Sequence, residues 1–275
     1  MNRSKKTLVE FYEAVGANYP EEQVVYHTLY GRLRKAFIHS YLQRIQGSLL
    51  DIGCNSGHYL AAYQNGDRWG MDLSRAVLRR TPDLLRQRLV VADAERLYAF
   101  QPASFDHALC SEVLEHCLNP SAVFAGIAHV LKPGGRALIT TPNYTGEKPS
   151  WVEVGCLSEY GVHGDADGRY FHTAYRPQEL SKLALAAGLK TVECGTLEKE
   201  IKYAANLPAA LLLSGRLLNR WLRSVKFESW LLRRFNRLCL QIYAFCRITG
   251  MQPLLLRWVD EGVRSYIWVE KPAAG

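Results

Sequence analysis

From Ser48 onward the chain alternates short apolar or β-branched runs with stretches of helical periodicity. The apolar runs lie at 48–52, 68–73, 88–92, 105–110 and 135–141, and helical patterns fall between them, chiefly at 57–64, 74–80 and 120–131. Near-continuous apolar strands are covered on both faces, and their alternation with helices predicts a parallel sheet. The 120–131 helix has Asn119 as its N-cap and Pro120 in its first turn. Lys132-Pro133-Gly134-Gly135 predicts its stop. A further helix is expected over 177–187, then strands over 189–197 and 264–270. The expected fold class is α/β: seven strands, mostly parallel, helices on both faces, and a helical insertion before the last strand.

Three segments break this rhythm. Residues 8–46 read as helical, with Leu29, Leu33, Phe37, Tyr41 and Ile45 at four-residue spacing. Asn143 to Arg176 is long, aperiodic and rich in Gly, Tyr, His and Asp, the pattern of a functional loop or lid. Within 199–262, Arg216, Asn219, Arg220 and Arg223 share one helical face, while Leu211, Leu217, Leu218, Trp221 and Leu222 fall mostly on another. A second helix sets Arg233, Arg234, Arg237 and Gln241 against Leu231, Leu232, Phe235, Leu238, Cys239 and Ile242. The expected division is an N-terminal helical cap (1–46), a ligand-binding core (47–198), a basic amphipathic insertion (199–262) and the last strand with its tail (263–275).

Composition narrows the classes. With 48% hydrophobic and 22% charged residues, the 275-residue chain has a globular core. Its formal net charge of +8 favours anionic surroundings. Nucleic acid is the weaker partner, because no recognised RNA-binding module accompanies the charge. Charges interrupt every apolar run of the insertion before the roughly 18–20 residues that span a bilayer. Its helices therefore suit a membrane interface, packing on the sheet with a solvated basic rim, or a partner-protein surface. The seven cysteines are scattered and form no CxxC pair, so neither a zinc knuckle nor a disulfide framework is expected. They suit a reducing cytosol, and Met1 to Glu10 lacks a signal-peptide apolar core. The expected location is cytoplasmic, with peripheral attachment to the inner membrane face.

The chemistry begins at Leu49-Leu50-Asp51-Ile52-Gly53-Cys54-Asn55-Ser56-Gly57, a strand running into a glycine-bounded turn. Gly53 and Gly57 permit positive φ and close backbone approach to a ligand. Asp72 follows about twenty residues on, where a carboxylate can accept from ribose hydroxyls. Asp93 closes the third strand, where it could accept from an adenine amino group. Each aspartate could instead serve as a strand-end cap. A dinucleotide dehydrogenase would need a third glycine in phase, which is absent.

In these motifs the chain resembles the class I S-adenosylmethionine-dependent methyltransferases. Leu50 to Gly57 looks like their glycine motif, Gly70-Met71-Asp72-Leu73 like the ribose motif, and Ala92-Asp93-Ala94 like the adenine motif. Phe105-Asp106 through Glu112-Val113-Leu114-Glu115-His116, then Val130-Leu131-Lys132-Pro133-Gly134-Gly135, looks like the fourth- and fifth-strand signature. The resemblance spans roughly 45–200 and the last strand. It implies a Rossmann-like sheet, S-adenosyl-L-methionine as cofactor, and Asp51, Gly53, Cys54, Asn55, Gly57, Asp72, Leu73, Asp93, Ala94 and Ser111 around it. Asn55 departs from the family's second glycine, but Asn tolerates left-handed backbone.

Methyl transfer from a sulfonium needs an in-line nucleophile held close and its proton removed. Glu112, Glu115 and His116, at i, i+3 and i+4, are expected on one helical face past the fourth strand. His116 is the candidate base and Glu112 its catalytic neighbour, although Glu112 could merely cap the junction and His116 merely pack. The Glu-x-x-Glu-His pattern also resembles quinol O-methyltransferases, where it implies a divalent metal, a role left open here. The lid's Tyr144, Trp151, Tyr160, His163, Tyr170, Phe171, His172 and Tyr175 could enclose an acceptor or simply form a covering core. The expected activity is methyl transfer to a small-molecule or lipid-like acceptor, at oxygen. A catalytically silent scaffold at a membrane surface is the alternative; RNA methylation and NAD-dependent dehydrogenation stand further off.

Overall fold

The computed structural model describes residues 3–20 and 24–273. The outermost residues of the expected cap and tail, and 21–23, lie outside the described residues. The strands are β1 (Leu49–Ile52), β2 (Arg68–Asp72), β3 (Leu89–Val91), β4 (Phe105–Ser111), β5 (Leu131–Pro142), β6 (Trp151–Glu153), β7 (Arg169–Phe171), β8 (Lys190–Leu197) and β9 (Arg264–Glu270). Seven of them form one sheet in the order β3-β2-β1-β4-β5-β9-β8. β1 to β5 run parallel, and β9 turns antiparallel beside β5. β1 is buried at all four positions, as a central strand covered on both faces must be.

The helices are α1 (Arg3–Asn18), α2 (Leu29–Leu42), α3 (His58–Ala62), α4 (Arg75–Leu78), α5 (Asp83–Arg86), α6 (Pro120–Val130), α7 (Pro177–Ala186), α8 (Lys199–Leu222), α9 (Val225–Ile248) and α10 (Gln252–Leu256). Val123, Phe124 and Ile127 of α6 and Leu180 and Ala184 of α7 join Ile52, Ala108 and Ile139 in the main core. Cys54, Leu60, Leu78 and Leu85 form a second cluster. Each fully buried aliphatic side chain contributes about 1.5–3 kcal/mol.

Local chemistry explains where elements begin and end. Asn119 Oδ1 accepts the Ala122 N–H (3.2 Å), capping α6. The expected stop at 132–135 is corrected: α6 ends at Val130, and Lys132-Pro133-Gly134-Gly135 lies inside β5. There Gly134 takes φ +77° and its N–H reaches the Lys271 carbonyl (2.8 Å). The continuous helical reading of 8–46 is also corrected, since α1 ends at Asn18 and Tyr19 and Pro20 are not helical. Proline disfavours helical backbone in the residue before it. The aperiodic 143–176 segment contains β6 and β7, an antiparallel pair with Trp151 opposite Phe171, and a 3-10 turn over Gly155–Tyr160. Three-residue strands are too short to show a period.

The chain divides into two compact units: Ile38–Gly195 with the described parts of Met1–Tyr19 and Arg264–Gly275, and Thr196–Val263 with the described part of Pro20–Phe37. The N-terminal stretch read as one cap is thus shared between them. In the second unit α8 and α9 are joined by Arg223, in left-handed backbone, and Ser224, whose Oγ caps α9 by accepting from Phe227 N–H (3.2 Å). A Cβ on Gly215 would lie 2.5 Å from Leu231 Cδ2, so α8 and α9 approach closely. Leu29, Ile201, Ala204 and Cys239 form this unit's core, with Phe235 and Ile242 packed on it. Leu211, Leu217, Leu218, Trp221 and Leu222 stay exposed.

Candidate active site

Past β1 the chain turns through Gly53 (φ +73°), Asn55 (φ +52°) and Gly57 (φ +82°) into α3. A Cβ on Gly53 would sit 2.2 Å from Val113 Cγ2, and one on Gly57 2.8 Å from Thr81 Cγ2. Space and backbone both exclude larger residues. The Gly53 and Cys54 N–H groups share the Met71 carbonyl (2.8 and 2.9 Å), pinning the turn to β2. Asp72, at the end of β2, accepts Asn55 N–H on Oδ2 (3.0 Å) and Ser74 N–H on Oδ1 (2.9 Å). Asn55 thus occupies the left-handed position and still donates its N–H.

Asp51 is buried, and its Oδ2 has no hydrogen-bond partner. Burial, then the charge of Asp72, pushes its pKa up to about 8. Burial also raises the Asp72 pKa, partly offset by the N–H groups of Ser74, Asn55 and Leu73. Two neighbouring carboxyl groups, one of them buried with an unpartnered oxygen, make a place for a cationic ligand. Asp93 accepts the Glu95 N–H (3.0 Å) at the start of a 3-10 turn over Ala94–Ala99. The Cys54 side chain packs with Leu60, Leu78 and Leu85, and Ala94 packs in the main core. Ser111 Oγ bonds Thr140 Oγ1 (2.9 Å).

The expectation that Glu112, Glu115 and His116 share one helical face is corrected. Glu112 takes φ +59°, Val113 sits at φ −124° and ψ −40°, outside both helical and extended backbone, and only Leu114–His116 forms a 3-10 turn. The Glu112 carboxylate is committed elsewhere: Oε1 accepts from Thr140 Oγ1 (3.1 Å) and Oε2 pairs with Arg264. The β5–β9 register, Pro142 opposite Arg264, delivers that arginine. Glu115 is buried and accepts from Thr141 Oγ1 (3.2 Å). Among the described residues no three His, Cys, Asp or Glu side chains converge as a metal ligand set.

His116 lies instead in an aromatic cluster. Its ring stands 5.0 Å from Tyr12 and 4.9 Å from His172, centroid to centroid. Tyr170 lies 5.8 Å beyond His172 and stacks on Phe11 at 4.6 Å. The His116 Nδ1 is buried without a hydrogen-bond partner. Burial, then the charge of His172, lowers the His116 pKa to about 3, so the imidazole is neutral. Tyr12 Oη and His172 Nδ1 are likewise buried and unpartnered. Of the other lid residues named from sequence, Tyr144 holds Lys148 and Arg176 over its ring, Trp151 is exposed, and Tyr160 meets Tyr19.

Sequence reasoning missed Tyr12, Glu13 and Arg264. Glu13 accepts from Ser74 Oγ (2.9 Å) and Ala76 N–H (3.1 Å), fastening α1 beside Asp72. Nothing local marks these residues; only the packing of α1 and the β9 register bring them in.

A doubly wound sheet with an antiparallel strand beside β5, a glycine turn and acidic strand ends define a Rossmann-like transferase site. Residues 50–139 match the family described as Methyltransferase domain. The chain is 33% identical over 165 residues to the ubiquinone biosynthesis O-methyltransferase of Methylococcus capsulatus, covering 57% of this chain and 69% of that protein. With its counterpart from Paraburkholderia phymatum it shares 34% identity over 170 residues, 58% of this chain and 72% of the relative. The chain belongs to the class I S-adenosylmethionine-dependent methyltransferases. The fold is similar to that of Burkholderia thailandensis 1,6-didemethyltoxoflavin-N1-methyltransferase, solved with S-adenosylhomocysteine, at TM-score 0.51 and 21% identity over 70% of this chain and 82% of that one.

S-adenosyl-L-methionine is therefore the methyl donor. The residues present fit it: the unpartnered Asp51 oxygen suits a cationic ligand. When bound, the sulfonium supplies an activated methyl group.

Proposed function

We propose that the enzyme methylates a hydroxyl on a ring-bearing small molecule, with His116 Nδ1 receiving the proton. The observation that carries this reading is the buried, partnerless Nδ1 facing no protein donor, in ring contact with Tyr12 and His172. With the proton on Nε2, which faces the Glu115 carboxylate at 4.0 Å, Nδ1 holds the lone pair. Its low basicity is no obstacle: an oxygen accepting a methyl cation becomes a far stronger acid than imidazolium, so proton transfer follows late. The carboxylate of Glu115, 4.0 Å from His116 Nε2, favours the imidazolium that results. Glu112 acts as a positioning residue through Arg264 and Thr140. The relatives' name, ubiquinone biosynthesis O-methyltransferase, supports a phenol- or quinol-type acceptor. His116→Ala is expected to lower kcat on such acceptors by roughly 10²-fold or more with cofactor affinity unchanged; unaltered kcat would remove the base role.

We also propose that the helical unit rests on an anionic lipid surface. No described helix is long and apolar enough to cross a membrane. Residues 199–262 hold eleven Lys and Arg against four Asp and Glu, a net +7 within a chain total of +8. Trp221 is 89% exposed, with Leu217, Leu218 and Leu222 also open to solvent. Apolar side chains bordered by cations suit an interface. Flotation with phosphatidylglycerol vesicles tests this; protein left in the bottom fraction refutes it.

A further inference from the structure

The helical unit carries a cleft of about 390 Å³ lined by Arg32, Leu240, Tyr243, Ala244, Arg247 and Ile248. Arg32 comes from α2 and the others from α9, so the two elements bring two guanidinium groups to one opening. Neither arginine forms a salt bridge with a described carboxylate, although Arg216 in the same unit does, with Glu228 at 2.7 Å. The Arg247 guanidinium lies 5.7 Å from the Tyr243 ring centroid, within cation–π range. Beside Tyr243 the rest of the lining is aliphatic, and Ile248 is 86% exposed, with Phe245, Met251 and Leu254 exposed nearby in the chain.

Two guanidinium groups with no salt bridge to a described carboxylate, beside an apolar floor, are complementary to an amphiphile with an anionic phosphate head. Arginine suits phosphate because its planar fork can donate two parallel hydrogen bonds. Leu240, Ala244 and Ile248 would meet the glycerol and first acyl methylenes. We propose that this cleft binds the headgroup phosphate of an anionic membrane phospholipid, setting how the helical unit meets the bilayer. The inference rests on the membrane reading above and adds a discrete site to it. General surface attraction scales with the number of basic residues near the surface, and it does not depend on cleft shape. A site does.

The test uses full-length protein and phosphatidylcholine vesicles with and without phosphatidylglycerol. Arg32→Gln/Arg247→Gln is compared with Arg220→Gln/Arg223→Gln, which removes equal charge outside the cleft. Ala244→Trp fills the cleft and leaves every charge in place. The cleft pair is expected to weaken phosphatidylglycerol-dependent binding at least tenfold more than the control pair, and Ala244→Trp to lower it about tenfold, with cofactor binding intact in all three. Cleft variants indistinguishable from their controls would overturn the headgroup site while leaving the membrane reading standing. Wild type that ignores phosphatidylglycerol vesicles would overturn both. Inorganic phosphate alone that competes as well as short-chain phosphatidylglycerol would reassign the cleft to free phosphate.

Discussion

Asp51 shows how one side chain links folding, pH and cofactor. Its carboxyl is protonated in the folded, ligand-free chain up to about pH 8 but ionises near 3.8 when unfolded. That contribution to stability is fully present below the unfolded value and is lost as pH rises through the folded one. Asp51→Asn should therefore flatten the pH dependence of the melting temperature between about 4 and 8. A cationic ligand favours the ionised carboxyl, so binding S-adenosylmethionine should release a proton and tighten as pH rises toward 8. Calorimetry in buffers of different ionisation enthalpy reads that proton, and Asp51→Asn should abolish it. Gly53→Ala meets both Val113 and a positive φ, and should cost about 1–3 kcal/mol by thermal denaturation. His116, held neutral, predicts that kcat shows no inflection near 6.5 as pH falls toward 5. The two glycines and Asp72 were legible because turn geometry and strand ends are local. The state of Asp51 was not, since it depends on burial beside Asp72.

At the scale of elements, the junction of β4, β5 and β9 is held by polar side chains in series. Ser111 and Thr140 share a hydrogen bond, Thr140 donates to Glu112, and Glu112 pairs with buried Arg264. Removing one partner of such a pair strands the other charge, at about 3–5 kcal/mol. Arg264→Met alone should destabilise by about that much, and Arg264→Met/Glu112→Gln should recover part of it; a double-mutant cycle in urea measures the coupling. The sequence marked Glu112 as important but placed it on a helix it does not join, because i, i+3, i+4 spacing implies a shared face only where backbone is helical. Left-handed φ at Glu112 breaks that premise. In the same way, Lys132 to Gly135 carry strong stop signals, and those signals correctly exclude helix there while concealing that the strand has already begun.

Over the whole molecule, charge and exposed apolar surface concentrate in one segment. Trp221→Glu and Leu217→Glu are expected to weaken phosphatidylglycerol vesicle binding roughly tenfold each, given about 1.5–3 kcal/mol for burying a large apolar side chain, without lowering the melting temperature. Vesicle binding by wild type should also fall steeply with added salt. Reading 199–262 as paired amphipathic helices needed only period and charge. Which apolar face was covered did not follow from them: Leu231 is buried and Cys239 enters the unit's core while Trp221 stays in solvent. The sequence by itself determined the alternation of strands and helices, the glycine turn and the acidic strand ends, since each is encoded by neighbours a few residues apart. Only tertiary structure decided that Tyr12 and His172 flank His116, that Arg264 claims Glu112, and that Arg32 joins Arg247 at one cleft. Those contacts depend on strand register and helix packing between distant stretches of chain, and no local period specifies them.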